Sequence, residues 1–217
     1  MIIPKLHYIS QGETGQEHID NIQKACTSGA ELVQLRLKNT SEKKILKFAE
    51  QAREITTHFQ TRLIINDHYK IAKTIKADGV HLGKLDTCPN LARKALYTWQ
   101  IIGGTANTLE DCQTLISKNV DYIGLGPFKY TTTKANLSPI LGLEGYKTIL
   151  NTLQSKTPII GIGGVTINDI ISILDTGISG IAMSGEITKD FNSIKKINQL
   201  LDASSTKEQR YTFNKTN

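Results

Sequence analysis

The sequence has few cysteines, few aromatic residues and no long apolar run. Its three cysteines, Cys26, Cys88 and Cys112, are odd in number and lack CxxC spacing. That argues against a disulfide framework or a zinc site and fits a reducing cytosol. No apolar stretch is long enough to cross a bilayer, and residues 1–7 lack the apolar core of a signal peptide. We therefore expect a soluble, cytoplasmic protein that does not contact a membrane.

Basic residues outnumber acidic ones but are not clustered. The 26 lysines and arginines against 20 aspartates and glutamates give a net charge of +6, which implies anionic partners, either nucleic acid or phosphorylated small molecules. Lysines are interleaved with glutamates, and an aromatic content of 6% is too low for a platform on which bases stack. The composition thus favours phosphorylated small molecules over nucleic acid and leaves the oligomeric state open.

Short apolar runs alternate with amphipathic stretches along the 217 residues, a length that suits one domain. The runs predict strands at Leu6–Ser10, Leu32–Lys38, Leu63–Asp67, Gly79–Gly83, Ile101–Ala106, Tyr122–Pro127, Pro158–Gly164 and Gly180–Gly185. This alternation requires parallel pairing with right-handed crossovers. It predicts a single (β/α)8 barrel over residues 1–202, with a doubly wound open sheet as the alternative. The polar segment 203–217 lacks periodicity and is predicted to be a frayed tail.

Helices are predicted from amphipathic periodicity and from capping residues. The clearest stretches are Lys43–Thr56, Leu109–Lys118, Leu143–Leu153 and Ile167–Thr176. Thr108 and Thr166 each have an aspartate three residues on, as in a capping box. Gly29 and Gly177 follow predicted helices, where a left-handed residue without a Cβ is favoured.

Two aspartates stand where apolar runs end. Asp67 closes the run that begins at Leu63, and Asp86 follows the run that begins at Gly79. Strand carboxyl ends open onto one face of a barrel, so both carboxylates are expected at the same mouth. Two carboxylates there suit Mg²⁺, which takes one or two of them together with substrate phosphates. Helix capping and ion pairing remain alternative roles for each aspartate, and Asn66 either binds ligand or simply ends its strand.

Gln34, Arg36 and Lys38 alternate with apolar residues, which puts the three polar side chains on one side of the predicted strand. A solvated strand face is the alternative, but helices cover the outside of a parallel barrel. A cation turned inward is costly unless it meets an anion, so the pattern indicates a bound phosphate. His81, within a strand, is interpreted as a hydrogen-bonded core residue.

Two glycine turns and a long loop follow later strands. The turns Gly161–Gly164 and Met183–Gly185 come after the seventh and eighth strands, where barrels commonly bind phosphate. Tight turns without a ligand are the alternative. The loop Phe128–Leu141 carries hydroxyls and lysines at Lys129, Thr131, Thr132, Thr133 and Lys134. Its length and composition favour a lid that closes over phosphate, rather than an idle loop.

Taken together and in order, several segments resemble the thiamine-phosphate synthase family. They are Val33–Lys38, Leu63–Asp67, Ala77–Asp86, Ile101–Thr105, Asp121–Pro127, Thr131–Lys134 and Gly161–Val165. The resemblance implies a (β/α)8 barrel that joins hydroxymethylpyrimidine diphosphate to a thiazole phosphate and releases diphosphate in a Mg²⁺-dependent step. Loss of diphosphate before the thiazole nitrogen attacks is the mechanism that it implies.

The resemblance also assigns roles to residues. It gives the binding of the pyrimidine diphosphate to Gln34, Arg36, Lys38, Asn66, Thr105 and Lys134. It implies that the thiazole phosphate is bound by Thr131, Thr133, Gly164, Ser184 and Gly185. Mg²⁺ would be held by Asp67 and Asp86, and charge stabilisation during catalysis would come from Arg36, Lys38 and Lys134.

The chain departs from the family pattern at four places. The family commonly has an acidic residue at Leu37, glutamine at Lys84 and serine at Thr105, and often Ile-Ser at Ser184-Gly185. Thr105 keeps the hydroxyl, whereas Lys84 either weakens the metal site or adds a contact to diphosphate. Two other functions stay open: a thiazole phosphate tautomerase on the same barrel, and a binding module without catalytic activity.

Overall fold

The fold is described by a computed structural model that covers residues 2–131 and 138–202. Within these residues the strands form one closed parallel barrel, in which every strand pairs with its neighbours in sequence and β1 pairs with β8. The predicted barrel is therefore confirmed and the open sheet is excluded. The strands are β1 (Leu6–Ile9), β2 (Leu32–Leu35), β3 (Arg62–Asn66), β4 (Gly79–Leu82), β5 (Ile101–Ala106), β6 (Tyr122–Leu125), β7 (Ile159–Ile162) and β8 (Gly180–Met183).

Helices follow the strands and pack around the barrel. They are α1 (Gly15–Thr27), α2 (Glu42–His58), α3 (Tyr69–Thr74), α4 (Pro89–Ala95), α5 (Leu109–Ser117), α6 (Gly142–Leu153), α7 (Ile170–Leu174) and α8 (Gly185–Lys189). A 3₁₀ turn at Ile167–Asp169 precedes α7, and residues 193–202 are helical. None of the helices in the described ranges is long and apolar enough to cross a membrane. The predicted tail, 203–217, lies outside the described residues.

The predicted helix ends are present. Thr108 Oγ1 accepts from the Asp111 N–H at 3.1 Å, and Asp111 Oδ2 accepts from the Thr108 N–H at 3.1 Å, which together form a capping box. Asp169 Oδ2 likewise accepts from the N–H of Thr166 at 3.0 Å. Gly29 and Gly177 have φ values of +90° and +94°, the left-handed backbone predicted for both.

Alternation along each strand divides the apolar core into two layers. Val33 and Leu35 face the helices, whereas Leu32 lies in a separate buried cluster inside the barrel. Tyr122 belongs to that inner cluster, and a Cβ on Gly103 would lie 2.2 Å from its ring. Gly103 therefore leaves the space that the tyrosine ring occupies, and the barrel interior is filled by side chains below the mouth.

Two aspartates just before strands tie neighbouring segments together at the amino end of the barrel. Asp78 Oδ2 accepts from the Leu63 N–H at 2.8 Å and from Arg53 Nη1 at 2.6 Å. Asp121 repeats the arrangement before β6, where its Oδ2 accepts from the Ile102 N–H at 2.7 Å and from Arg93 Nη2 at 2.5 Å. Each of the two carboxylates accepts a hydrogen bond from a strand N–H and pairs with an arginine of a helix. Asp78 and Asp121 therefore stabilise the barrel.

Candidate active site

The mouth at the carboxyl ends of the strands contains a buried pair of amides. Gln34 lies in β2, and its Nε2 donates a hydrogen bond to Asn66 Oδ1 at the end of β3, at 3.0 Å. Both residues are at least 92% buried. The bond uses one polar atom of each amide, and among the described residues no other hydrogen bond is made by Gln34 Oε1 or Asn66 Nδ2. The pair thus provides one acceptor and one donor at the floor of the mouth.

The two predicted metal ligands meet above this floor. Asp67 follows β3 in a left-handed conformation (φ 64°), which aspartate adopts more readily than most residues, and its carboxylate is hydrogen-bonded with that of Asp86. Asp86 Oδ2 accepts from the Gly83 N–H at 2.6 Å, which fixes the loop after β4. Lys38 pairs with Asp67. The structure therefore brings together a cation and two carboxylates that lie far apart in sequence.

The electrostatics of the acidic pair differ between its members. Burial raises the pKa of Asp86, and the neighbouring Asp67 raises it further. Burial also acts to raise the pKa of Asp67, but its hydrogen bonds with Asp86 and Lys38 hold that pKa below the ordinary value. When protonated, Asp86 donates to ionised Asp67. A divalent cation bound by both oxygens would remove this repulsion, so the residues fit a metal of the Mg²⁺ type.

The described residues contain no group of three or more histidine, cysteine, aspartate or glutamate side chains suited to a metal ion. Two carboxylates alone are a sparse ligand set. Such a set suits Mg²⁺, which keeps waters and takes further oxygens from a substrate phosphate, better than it suits zinc.

Arg36 lies beside the acidic pair, past the end of its strand. The predicted strand runs to Lys38, but β2 ends at Leu35 because the Arg36 N–H donates to Ser10 Oγ at 3.1 Å instead of continuing the ladder. Ser10 Oγ also bonds to His18 Nδ1 at 2.7 Å. Burial lowers the pKa of the half-buried Arg36, while the Asp67 charge acts in the opposite direction. Its guanidinium nevertheless stays charged.

Thr105 lies on the inner face of β5, and its Oγ1 is 2.9 Å from His81 Nε2. The other ring nitrogen, His81 Nδ1, is 2.9 Å from Tyr122 Oη. The predicted hydrogen bonding of His81 is confirmed, but the residue is only partly buried and is not a core residue, since its ring lies between Tyr122 inside the barrel and Thr105. The sequence does not predict a role for Tyr122, because its hydrogen bond with His81 of β4 depends on the register of the strands in the barrel.

The predicted turns after β7 and β8 are both present, and the glycines of the turn after β7 have a left-handed backbone. Gly163 and Gly164 have φ values of +87° and +69°, and a Cβ on Gly164 would lie 2.6 Å from Tyr130 O. Glycine is therefore required there, both for conformation and for space. Ser184 and Gly185 come directly after β8, and Ser184 Oγ donates to Gln11 Oε1 at 3.4 Å.

The loop after β6 is described only in part. Thr131 lies within the described residues, whereas Thr132, Thr133 and Lys134 fall outside them. Lys129 Nζ is 2.6 Å from Asp169 Oδ1, which places the start of this loop against the turn after β7. The proposed roles of Thr133 and Lys134 remain predictions from the resemblance.

A closed parallel barrel with this mouth defines a (β/α)8 enzyme. The family model described as thiamine monophosphate synthase matches residues 6–187. A curated thiamine-phosphate synthase of Flavobacterium psychrophilum is 45% identical over 199 residues, which cover 90% of this chain and 97% of the relative. The chain belongs to the thiamine monophosphate synthase family, and it is a transferase of thiamine biosynthesis.

Further similarities agree with this assignment. A thiamine-phosphate synthase of Bacteroides fragilis is 38% identical over 200 residues, covering 91% of this chain and 98% of the relative. The solved structure of a thiamine phosphate pyrophosphorylase from Pyrococcus furiosus superposes with a TM-score of 0.77 at 26% identity, covering 91% and 96% of the two chains. The resemblance noted in the sequence is thereby confirmed.

Proposed function

We propose that this protein condenses hydroxymethylpyrimidine diphosphate with a thiazole phosphate, or its carboxylated form, to give thiamine phosphate and diphosphate. The observation that carries the proposal is the meeting of Asp67 with Asp86 and Lys38 beside Arg36, above the Gln34 amide. A tautomerase has no need of two carboxylates and two cations at one mouth, whereas a binding module for the same diphosphate would share them and is distinguished by releasing no diphosphate. A diphosphate leaving group bound through a cation needs both.

In the proposed reaction the bond between the pyrimidine methylene carbon and the diphosphate oxygen breaks first. Its electron pair leaves with diphosphate, and the aromatic ring stabilises the positive charge on carbon. Magnesium, when bound by Asp67 and Asp86, would neutralise charge on the diphosphate oxygens. Arg36 can hold two phosphate oxygens through its planar fork, and Lys38 adds a point charge.

Bond formation then requires only the lone pair of the thiazole nitrogen, which forms the new carbon–nitrogen bond. No general base is needed, so the protein contributes mainly charge stabilisation and positioning. Gln34 and Asn66 supply the remaining amide acceptor and donor to the pyrimidine. We propose that Gly164, Ser184 and Gly185, with Thr131 and Thr133, hold the thiazole phosphate, and that Lys134 joins Arg36 and Lys38 on the diphosphate.

The proposal is tested by supplying both substrates with Mg²⁺ and measuring both products. Thiamine phosphate and diphosphate should form in equal amounts, and removal of the metal with a chelator should stop both. A tautomerase would convert the thiazole substrate without the pyrimidine, and a binding module would release no diphosphate. Either result would exclude the proposed reaction.

The proposal also includes phosphorylated small molecules as substrates, no binding of nucleic acid or of a membrane, and the cytoplasm as the location. Two lysines near the mouth, Lys84 and Lys129, are paired with Asp111 and Asp169, which reduces the free positive charge available to a polyanion. Binding to duplex DNA that falls steeply with salt would contradict the exclusion of nucleic acid.

A further inference from the structure

A chain of partly buried hydrogen bonds runs from the barrel interior to the mouth and ends at Thr105. Tyr122 Oη and Thr105 Oγ1 each lie 2.9 Å from a different nitrogen of the His81 ring. The three side chains come from β6, β4 and β5, so the barrel register alone brings them together. The chain connects a residue with no access to ligand to one that faces the proposed pyrimidine site.

The space for both rings is built into the neighbouring strands. A Cβ on Gly103 would lie 2.2 Å from Tyr122 Cζ, and one on Gly124 would lie 3.2 Å from His81 Cε1. Tyr122 is 2% exposed, and the edge of the His7 ring packs against it with centroids 4.9 Å apart. The packing around the Tyr122 phenol therefore fixes its orientation.

The direction of each bond follows from the donors and acceptors present. Among the described residues, His81 is the partner of the Tyr122 hydroxyl. A buried hydroxyl proton without an acceptor is costly, and burial keeps Tyr122 protonated by raising its pKa. Tyr122 therefore donates to His81 Nδ1, the ring carries its proton on Nε2, and Nε2–H donates to Thr105 Oγ1.

This order has a consequence for Thr105. Its oxygen is already an acceptor for His81, so its own hydroxyl proton remains to be donated to something else. In the part of the chain that the structure describes, no second protein partner is bonded to Thr105 Oγ1. We infer that Tyr122 and His81 are positioning residues that make the Thr105 hydroxyl a donor to an acceptor atom of the pyrimidine substrate. The inference rests on the proposed function for the identity of that substrate only.

The first test needs no substrate. Nitrogen-15 NMR of the histidine-labelled protein at neutral pH, with His81 assigned from a His81→Gln sample, reports which ring nitrogen carries the proton. We expect protonated Nε2 and unprotonated Nδ1. A proton on Nδ1 would reverse the chain and overturn the inference. This measurement tests the direction of the hydrogen bonds even if the protein proves inactive towards the proposed substrates.

The second test is a double-mutant cycle on binding of the pyrimidine diphosphate. Tyr122→Phe and Thr105→Val should each weaken binding about tenfold, the scale of one neutral hydrogen bond. The double variant should bind no more weakly than either single variant, because both act through the same bond to ligand. Thr105→Ser, which keeps the hydroxyl, should recover most of the affinity that Thr105→Val loses. Losses that multiply in the double variant would overturn the inference.

Tyr146→Phe is the matched control. Tyr146 is also fully buried, and its hydroxyl donates to Leu125 O at 2.9 Å, on the helix side of the barrel. The Tyr146→Phe variant loses the same kind of buried hydrogen bond as Tyr122→Phe, and we expect a similar decrease in its free energy of unfolding. Its affinity for the pyrimidine diphosphate should not change. Equal weakening in Tyr146→Phe would mean that Tyr122 acts through stability alone.

Discussion

Lys84 Nζ lies 2.7 Å from Asp111 Oδ2, so the lysine two residues before Asp86 is directed to the start of α5 and not to the acidic pair. Asp111 also accepts from the N–H groups of Asn107 and Thr108. The loop after β4 is thereby joined to the loop after β5. This contact favours a structural role for Lys84 over the two roles left open by the sequence.

Lys84→Gln should leave the reaction almost unchanged. Lys84 does not contact Asp86, so we expect turnover and the Mg²⁺ concentration for half-maximal rate to stay within about twofold. The exposed ion pair contributes roughly 0.2–1 kcal/mol to stability, which urea unfolding would detect. A tenfold change in the Mg²⁺ requirement would contradict this account and return Lys84 to the metal site.

Asp111 should contribute to stability in a pH-dependent way. Partial burial opposes its ionisation, but the bonds from Lys84, Asn107 and Thr108 hold its pKa below the ordinary value. Because the folded pKa is the lower one, the stabilisation is complete above the unfolded pKa of about 3.9 and is lost as pH falls through the folded pKa. Asp111→Asn should therefore cost about 1 kcal/mol at neutral pH and less in acid. An equal cost at both pH values would contradict the linkage.

Asp78→Ala should destabilise the barrel without slowing the reaction. The substitution leaves the Leu63 N–H and Arg53 without their acceptor, for which we expect a loss of about 1–3 kcal/mol in the free energy of unfolding. Asp20→Ala, which removes only an exposed bond to Gln16, is the control and should cost little. A large fall in turnover of the folded Asp78 variant would show that the amino end of the barrel affects the mouth.

Much of the fold could be predicted from local pattern. Apolar runs located all the strands of the barrel, because strands covered by helices are apolar on both faces. Thr108 and Gly29 identified helix ends, because capping depends on a few adjacent residues. The end of β2 was placed too late: the bond from the Arg36 N–H to Ser10 that ends the ladder depends on a different strand.

The candidate site also contains features that local sequence predicts and contacts that it does not. Asp67 and Asp86 were recognised because each follows an apolar run, and the structure brings the two together. The pairing of Lys84 with Asp111 and of His81 with Tyr122 could not be predicted, since each joins residues from separate strands or loops. Such contacts are fixed by barrel register, which a single sequence does not specify.

Asp67 is the residue on which the proposed chemistry depends most. Asp67→Asn keeps the shape but removes the charge that pairs with Lys38 and that, in the proposed function, would hold the metal. Loss of one well-placed stabiliser of developing charge typically costs about 10²–10³ in rate, and we expect at least that loss while the variant stays folded. Lys134→Ala should decrease the rate by a similar factor. This expectation rests on the family resemblance.

The most direct measurement is the single-turnover rate of diphosphate release from the pyrimidine substrate by wild type and by Asp67→Asn, at saturating Mg²⁺ and thiazole phosphate. Asp20→Asn, an exposed substitution, serves as the matched control and should react like the wild type. The account predicts a rate for Asp67→Asn at least about 10² lower, in a variant that circular dichroism shows to be folded at the assay temperature. A near-wild-type rate in the Asp67 variant would contradict it.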